Sequence, residues 1–75
     1  MRVSIGGTGA AGLSIRAAAN TTAERLYIAA EGDRFVVIDG PVSADDFTWW
    51  KLRSEAGSEP EGWAVADYLI LIGGE

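Results

Sequence analysis

Glycine sets the scale of what this chain can build. Ten glycines in 75 residues cut it into short apolar segments, the pattern of a β-sandwich or small barrel. Only residues 17–25 (AAANTTAER) have helical composition. That window is too short to stand as a helix, and Asn20, Thr21 and Thr22 offer the backbone competing side-chain hydrogen bonds. It reads as a loop with room for one helical turn.

Within the segments the apolar residues alternate, the period of a half-buried strand. Val3 and Ile5 share a face in residues 2–5. Leu13 and Ile15 do so next, with Ser14 and Arg16 pointing the other way, and Leu26 and Ile28 flank Tyr27. Residues 34–39 (RFVVID) form the strongest strand, with Phe35 and Val37 on one face and Val36 and Ile38 on the other. Residues 48–53 (TWWKLR) place Trp50 and Leu52 on one face and Trp49, Lys51 and Arg53 opposite. Residues 62–66, and then 69–72, close the chain.

The connections fit this division. Glu31-Gly32-Asp33 predicts a tight reversal, because glycine enters the left-handed region freely. Asp39-Gly40-Pro41 predicts the start of a longer loop running to Phe47, because proline cannot donate to a ladder. Residues 54–61 (SEAGSEPE) read as a polar hairpin connection, and Asp67-Tyr68 as a single tight turn of helix. Seventy-five residues make one domain, 1–75. The fold class that follows is all-β: a small, partly open barrel of five to six strands.

A chain this short buries only roughly 60% of the surface its unfolded form exposes, so such domains usually depend on disulfides or a metal. This one has no cysteine and no histidine, which removes the disulfide and leaves only carboxylates as strong metal ligands. Neither a cofactor nor a bound metal is expected. The core must hold the fold alone, and an apolar fraction of 48% with three tryptophans supplies the material. Trp50 and Trp63 are its expected bulky members.

The net charge of −5 argues against a nucleic-acid binder, which needs Lys and Arg to displace counterions, and against docking on anionic lipid. No apolar run approaches the roughly 20 residues of a membrane span, so membrane insertion is not expected. Residues 1–7 lack the apolar stretch of a signal peptide. The compartment stays open, with an extracellular or envelope location favoured if the chain belongs to a secreted parent.

Four pieces, in order, resemble the bacterial Src-homology-3-like family: Gly12-Leu13-Ser14-Ile15-Arg16; Glu31-Gly32-Asp33-Arg34-Phe35-Val36-Val37-Ile38; Trp49-Trp50-Lys51-Leu52-Arg53; and Glu61-Gly62-Trp63-Ala64-Val65-Ala66-Asp67-Tyr68-Leu69. The resemblance spans residues 12–69, with 1–7 as an extra N-terminal strand and 70–75 as a C-terminal strand and tail. There are departures. Ala17-Ala18-Ala19 stands where the family often has Ser-Gly-Pro, and Val65 replaces the proline common in eukaryotic members, whose acidic-tyrosine start is also missing. Both losses argue against the eukaryotic mode of binding Pro-rich helices. What the resemblance implies is a non-catalytic recognition module, usually appended to cell-wall hydrolases, surface proteins or phage proteins. The first aromatic of the paired tryptophans and the tyrosine near the C-terminal turn, here Trp49 and Tyr68, would then help form a shallow groove.

The residues themselves point away from an enzyme. With no His or Cys, and no Ser or Thr beside a plausible base, nucleophile-and-base pairs have no members. Asp45 with Asp46, and Glu59 with Glu61, are adjacent acids of solvated turns, not carboxyls set apart across a cleft. Asp39, Asp45 and Asp46 lack the alternating ligand spacing of calcium loops. Arg16 is expected to lie along the barrel and tie a loop carbonyl or carboxylate.

Trp49 is the more informative residue. A small barrel has one interior, so the face opposite Trp50 is expected to leave Trp49 partly exposed. The alternative is that it lies under the 40–47 loop, covered by Phe47 or by the N-terminal segment. If exposed, it forms an aromatic surface with Tyr68 and, more weakly, Tyr27, beside the carboxylates of Asp45 and Asp46. Aromatic faces next to carboxylates attract cations, each contact being worth roughly 0.5–2 kcal/mol. The expected partner is then a peptide or the amine-bearing stem peptide of peptidoglycan. A structural docking or oligomerisation role, with the chain a monomer or weak homo-oligomer, is the competing reading. The flanking strands 2–5 and 69–72 bear on the oligomeric state: paired within one barrel they leave a monomer, whereas an open strand edge invites a second chain.

Overall fold

A computed structural model describes residues 1–57 and 59–72. Ser58, within the expected polar connection, and the expected tail at 73–75 lie outside the described residues. The chain is all-β, with seven strands: β1 (Arg2–Ile5), β2 (Leu13–Arg16), β3 (Arg25–Ala29), β4 (Arg34–Ala44), β5 (Phe47–Ser54), β6 (Gly62–Val65) and β7 (Leu69–Ile72). They form one antiparallel sheet in the order β3-β2-β6-β5-β4-β1-β7. Two expectations are corrected. Among the described residues the strands number seven, not five to six, and the sheet does not close into a barrel, since β3 and β7 remain its two edges.

The alternation read from the sequence builds the core. Val3, Ile5, Leu13, Ile15, Ala29, Phe35, Leu52 and Ala64 form one buried cluster, with Tyr27, Val37, Trp50 and Leu69 packed against it. Residues from β1 to β6 meet in that single cluster, so the sheet must coil around it. Close approach inside is made possible by Gly62, where an added Cβ would fall 2.6 Å from the Ile15 side chain and 2.8 Å from the Arg16 carbonyl oxygen. Trp63 is not part of the cluster. It is half-buried and pairs with Lys51 on the opposite face, while Gly62 and Ala64 take the inward positions of β6.

Two turns follow the sequence closely. At Ala30–Asp33 the Asp33 amide donates to the Ala30 carbonyl at 3.0 Å, with Gly32 at φ 93°. Asp33 Oδ2 accepts in return from the Ala30 N–H at 2.9 Å. A 3-10 turn spans Ala66–Tyr68 and delivers the chain into β7. Residues 17–24 form a loop, as expected, whereas a second 3-10 turn at Gly9–Ala11 has no counterpart in the sequence reading.

The loop expected after Asp39 does not form. Instead β4 continues through Gly40 and Pro41 to Ala44 and returns as β5. The ladder accommodates the proline by slipping twice. Val37 pairs with Leu52, Asp39 with Lys51 and Val42 with Trp49, so β4 carries one extra residue at each step. These are β-bulges, and proline is tolerated at a bulge because no ladder donor is required of it there.

Candidate functional site

The β4–β5 hairpin turns on two residues only. Ala44 pairs with Phe47, and Asp45 and Asp46 lie between them at φ 54° and 66°. Two successive left-handed residues give a turn whose twist matches that of the flanking strands, and aspartate adopts this conformation more readily than most residues. The hairpin therefore projects as an ordered β-ribbon, and its position decides the fate of Trp49.

Trp49 is 1% exposed, which overturns the expectation of a solvent-facing ring. The alternation itself is correct, because Trp50 packs against the core cluster and Trp49 is not among its members. What differs is that the second face is also covered. The Trp49 indole lies along the hairpin and donates from Nε1 to the Ala44 carbonyl at 3.0 Å. The Phe47 ring meets it edge-on, 6.3 Å between centroids at 82°. Val42 and Val65 are its cross-strand neighbours. A buried indole N–H with an acceptor, inside an apolar surround, is a structural anchor. This is the covered arrangement that the sequence left open as the alternative, with Phe47 as the cover.

A concave surface nevertheless lies over this anchor. A depression of about 280 Å³ is lined by Phe47, Tyr68, Val65, Arg16 and Thr21, with the edge of Trp49 contributing to its wall. Phe47 and Tyr68 are 38% and 41% exposed, so their rings are the aromatic surfaces a ligand can reach. Arg16 is fixed at this surface by donation from Nη1 to the Ala23 carbonyl at 2.9 Å, the loop-tying role expected of it.

Asp45 is also engaged. Its Oδ2 accepts from both the backbone N–H and the hydroxyl of Thr21, at 2.9 and 3.1 Å. The 17–24 loop is thereby pinned to the hairpin tip, and Asn20 Oδ1 shapes that loop by accepting from the Thr22 amide and hydroxyl at 3.1 and 2.9 Å. Asp45, Asp46 and Phe47 line a second depression of about 390 Å³ beside the first. Phe47 thus belongs to both, joining an aromatic surface to an acidic one. Asp39 is exposed and accepts from the Gly40 N–H at 2.7 Å.

Of the residues singled out in the sequence, Tyr68, Asp45 and Asp46 come together around Phe47, and Trp49 lies beneath them. Tyr27 does not join them. It packs against the core cluster from β3, and its phenol oxygen is shielded with no hydrogen-bond partner among the described residues. Burial pushes its pKa above the ordinary value of 10.0, and the negative charges of Glu59 and Asp33 add to the shift. Sequence reasoning gave Phe47 only the role of a cover. The available signal was the Asp45-Asp46 pair, which as a two-residue turn places Phe47 at the start of a strand.

An apolar depression of about 210 Å³ lies elsewhere, between Met1, Val37, Trp50, Leu69 and Leu71. Among the described residues, no group of three or more His, Cys, Asp or Glu side chains is placed to hold a metal ion. No family model, curated protein or solved structure matches this chain.

Proposed function

We propose that this chain is a non-catalytic binding module of the bacterial Src-homology-3-like type that takes an extended, amine-bearing peptide segment, such as a peptidoglycan stem peptide, across Phe47 and Tyr68. The Src-homology-3-like assignment rests on the four motifs between Gly12 and Leu69, and an all-β sheet coiled around one core is compatible with it. The observation that carries the functional reading is the position of Phe47. Its accessible ring stands between a concave aromatic surface and the Asp45–Asp46 carboxylates. A cation held near the carboxylates can lie against an aromatic face, a contact worth about 0.5–1 kcal/mol at an exposed site. The peptide backbone following it can rest on Tyr68. The groove is pre-organised, because Thr21–Asp45 and Trp49–Ala44 hydrogen bonds fix its two walls, and pre-organisation lowers the ordering cost of binding.

Equilibrium titration with a lysine-containing stem tetrapeptide tests this. Phe47→Ala and Tyr68→Ala are each expected to weaken binding by about three- to tenfold, the equivalent of roughly 0.7–1.4 kcal/mol, with the fold intact. Affinity unchanged in both variants would refute the assignment.

A further inference from the structure

We propose that β7 is a self-association edge, through which two copies of this chain join antiparallel, Leu71 against Leu71, into one continuous sheet. This goes beyond the binding groove and uses a different part of the molecule. Among the described residues, β7 pairs only with β1, and nothing pairs with its other side. Its four residues, Leu69-Ile70-Leu71-Ile72, are all apolar, yet Ile70 and Leu71 are 53% and 67% exposed. Natural edge strands are ordinarily blunted by charge, proline or a covering element. None of these occurs within β7.

The ladder shows which backbone groups face outward. Gly6 N–H donates to the Tyr68 carbonyl at 3.0 Å, and Ser4 stands opposite Ile70 and Arg2 opposite Ile72. In an antiparallel pair the hydrogen-bonded positions alternate, so Tyr68, Ile70 and Ile72 direct their polar backbone groups toward β1. Leu69 and Leu71 direct theirs away from it. The Leu69 N–H is taken by the Ala66 carbonyl, which leaves Leu71 presenting both a donor and an acceptor at the edge.

That pattern admits a second copy of the chain. An edge residue offering one N–H and one C=O is complementary to itself about a two-fold axis, each copy giving one hydrogen bond and accepting one. Charge selects in the same direction. The apolar depression beside the edge is lined by Met1, Val3, Val37, Trp50, Leu69 and Leu71, with no charged side chain. A cationic peptide laid here would lose hydration without gaining a carboxylate, and an acidic one would meet a chain of net charge −5. A second β7 brings no charged side chain to the contact, so the net charge of −5 on each copy is not set against itself there.

Sedimentation or light scattering of the full chain over a concentration series tests the proposal. A species of twice the 7.9 kDa chain mass is expected, reduced to the monomer by Leu71→Lys with near-ultraviolet tryptophan ellipticity retained. Because the chain has no cysteine, Leu71→Cys gives a second test that preserves the edge. Hydrogen-bonded antiparallel partners lie about 5.5 Å apart at Cα, within disulfide reach, so oxidation should trap the dimer. Ser43→Cys, on the hairpin, should not. A chain monomeric at every concentration, a dimer surviving Leu71→Lys, or equal cross-linking from position 43 would each overturn the proposal. So would a monomer whose Leu71 amide responds only to an added Val/Ile-rich peptide, which would assign the edge to a foreign strand.

Discussion

Trp49 and Tyr27 show how differently two covered aromatic residues behave. Trp49 has its indole N–H satisfied by Ala44 and its ring sealed at 1% exposure. Removing it leaves a large cavity and deletes the hydrogen bond that ties the ring to Ala44. Trp49→Ala is therefore expected to cost about 3–5 kcal/mol in urea denaturation, a large share of the stability of a domain this size. A loss of the proposed peptide binding in that variant would report unfolding, which makes Phe47 the sounder residue to change. Tyr27 is the opposite case, because its hydroxyl is shielded without a partner. Tyr27→Phe removes an unsatisfied polar atom at little cost in packing, and is expected to leave stability unchanged or raise it by about 1 kcal/mol. The pH dependence follows the same residue. Its folded pKa is raised above 10.0, so as pH climbs past 10 the unfolded chain loses its proton while the folded chain keeps it. The contribution is fully present below the unfolded pKa and is lost as pH rises toward the folded one. Stability should thus fall more steeply above pH 10 in the wild type than in Tyr27→Phe, as read from denaturation midpoints.

Among the elements, the β4–β5 hairpin separates what the sequence disclosed from what it hid. Alternation identified the inward residues of β1, β2, β4 and β5, including Phe35 and Leu52, because each strand has only two faces and one carries the apolar set. The tight turn at Gly32 and the short helical turn before β7 were legible for equally local reasons. Pro41 misled, since a proline stops a regular ladder but not a bulged one. The two register slips around Asp39 depend on the partner strand and leave no mark in the local sequence. With the hairpin read as a loop, a cover over Trp49 stood only as the alternative, and Phe47 was undervalued. The turn itself can be tested. Asp46 sits at φ 66°, where glycine avoids the Cβ penalty and an Asp-Gly pair favours this type of turn. Asp46→Gly should raise the denaturation midpoint, by up to about 1 kcal/mol in stability, while Asp46→Val should lower it. If the first variant is destabilised, the two-residue turn is wrong.

Across the whole molecule, the open sheet explains why the two proposed surfaces do not compete. The groove at Phe47 and Tyr68 lies by the β4–β5 hairpin and the 17–24 loop, whereas the apolar edge is β7, flanked by β1. One surface is aromatic and acidic and suits a small peptide. The other is uncharged and suits a strand. A two-fold pairing at β7 would present two grooves on one particle, and two linked sites raise apparent affinity for a repetitive polymer such as a cell wall. The groove carries the functional reading, and a residue-resolved map of where the lysine-containing stem tetrapeptide binds tests it most directly. In amide and indole spectra of the labelled chain, titration should shift the resonances of Phe47, Asp46, Tyr68 and the Trp49 indole N–H together along one binding curve. Perturbations confined to other residues, or none across the titration, would contradict the assignment.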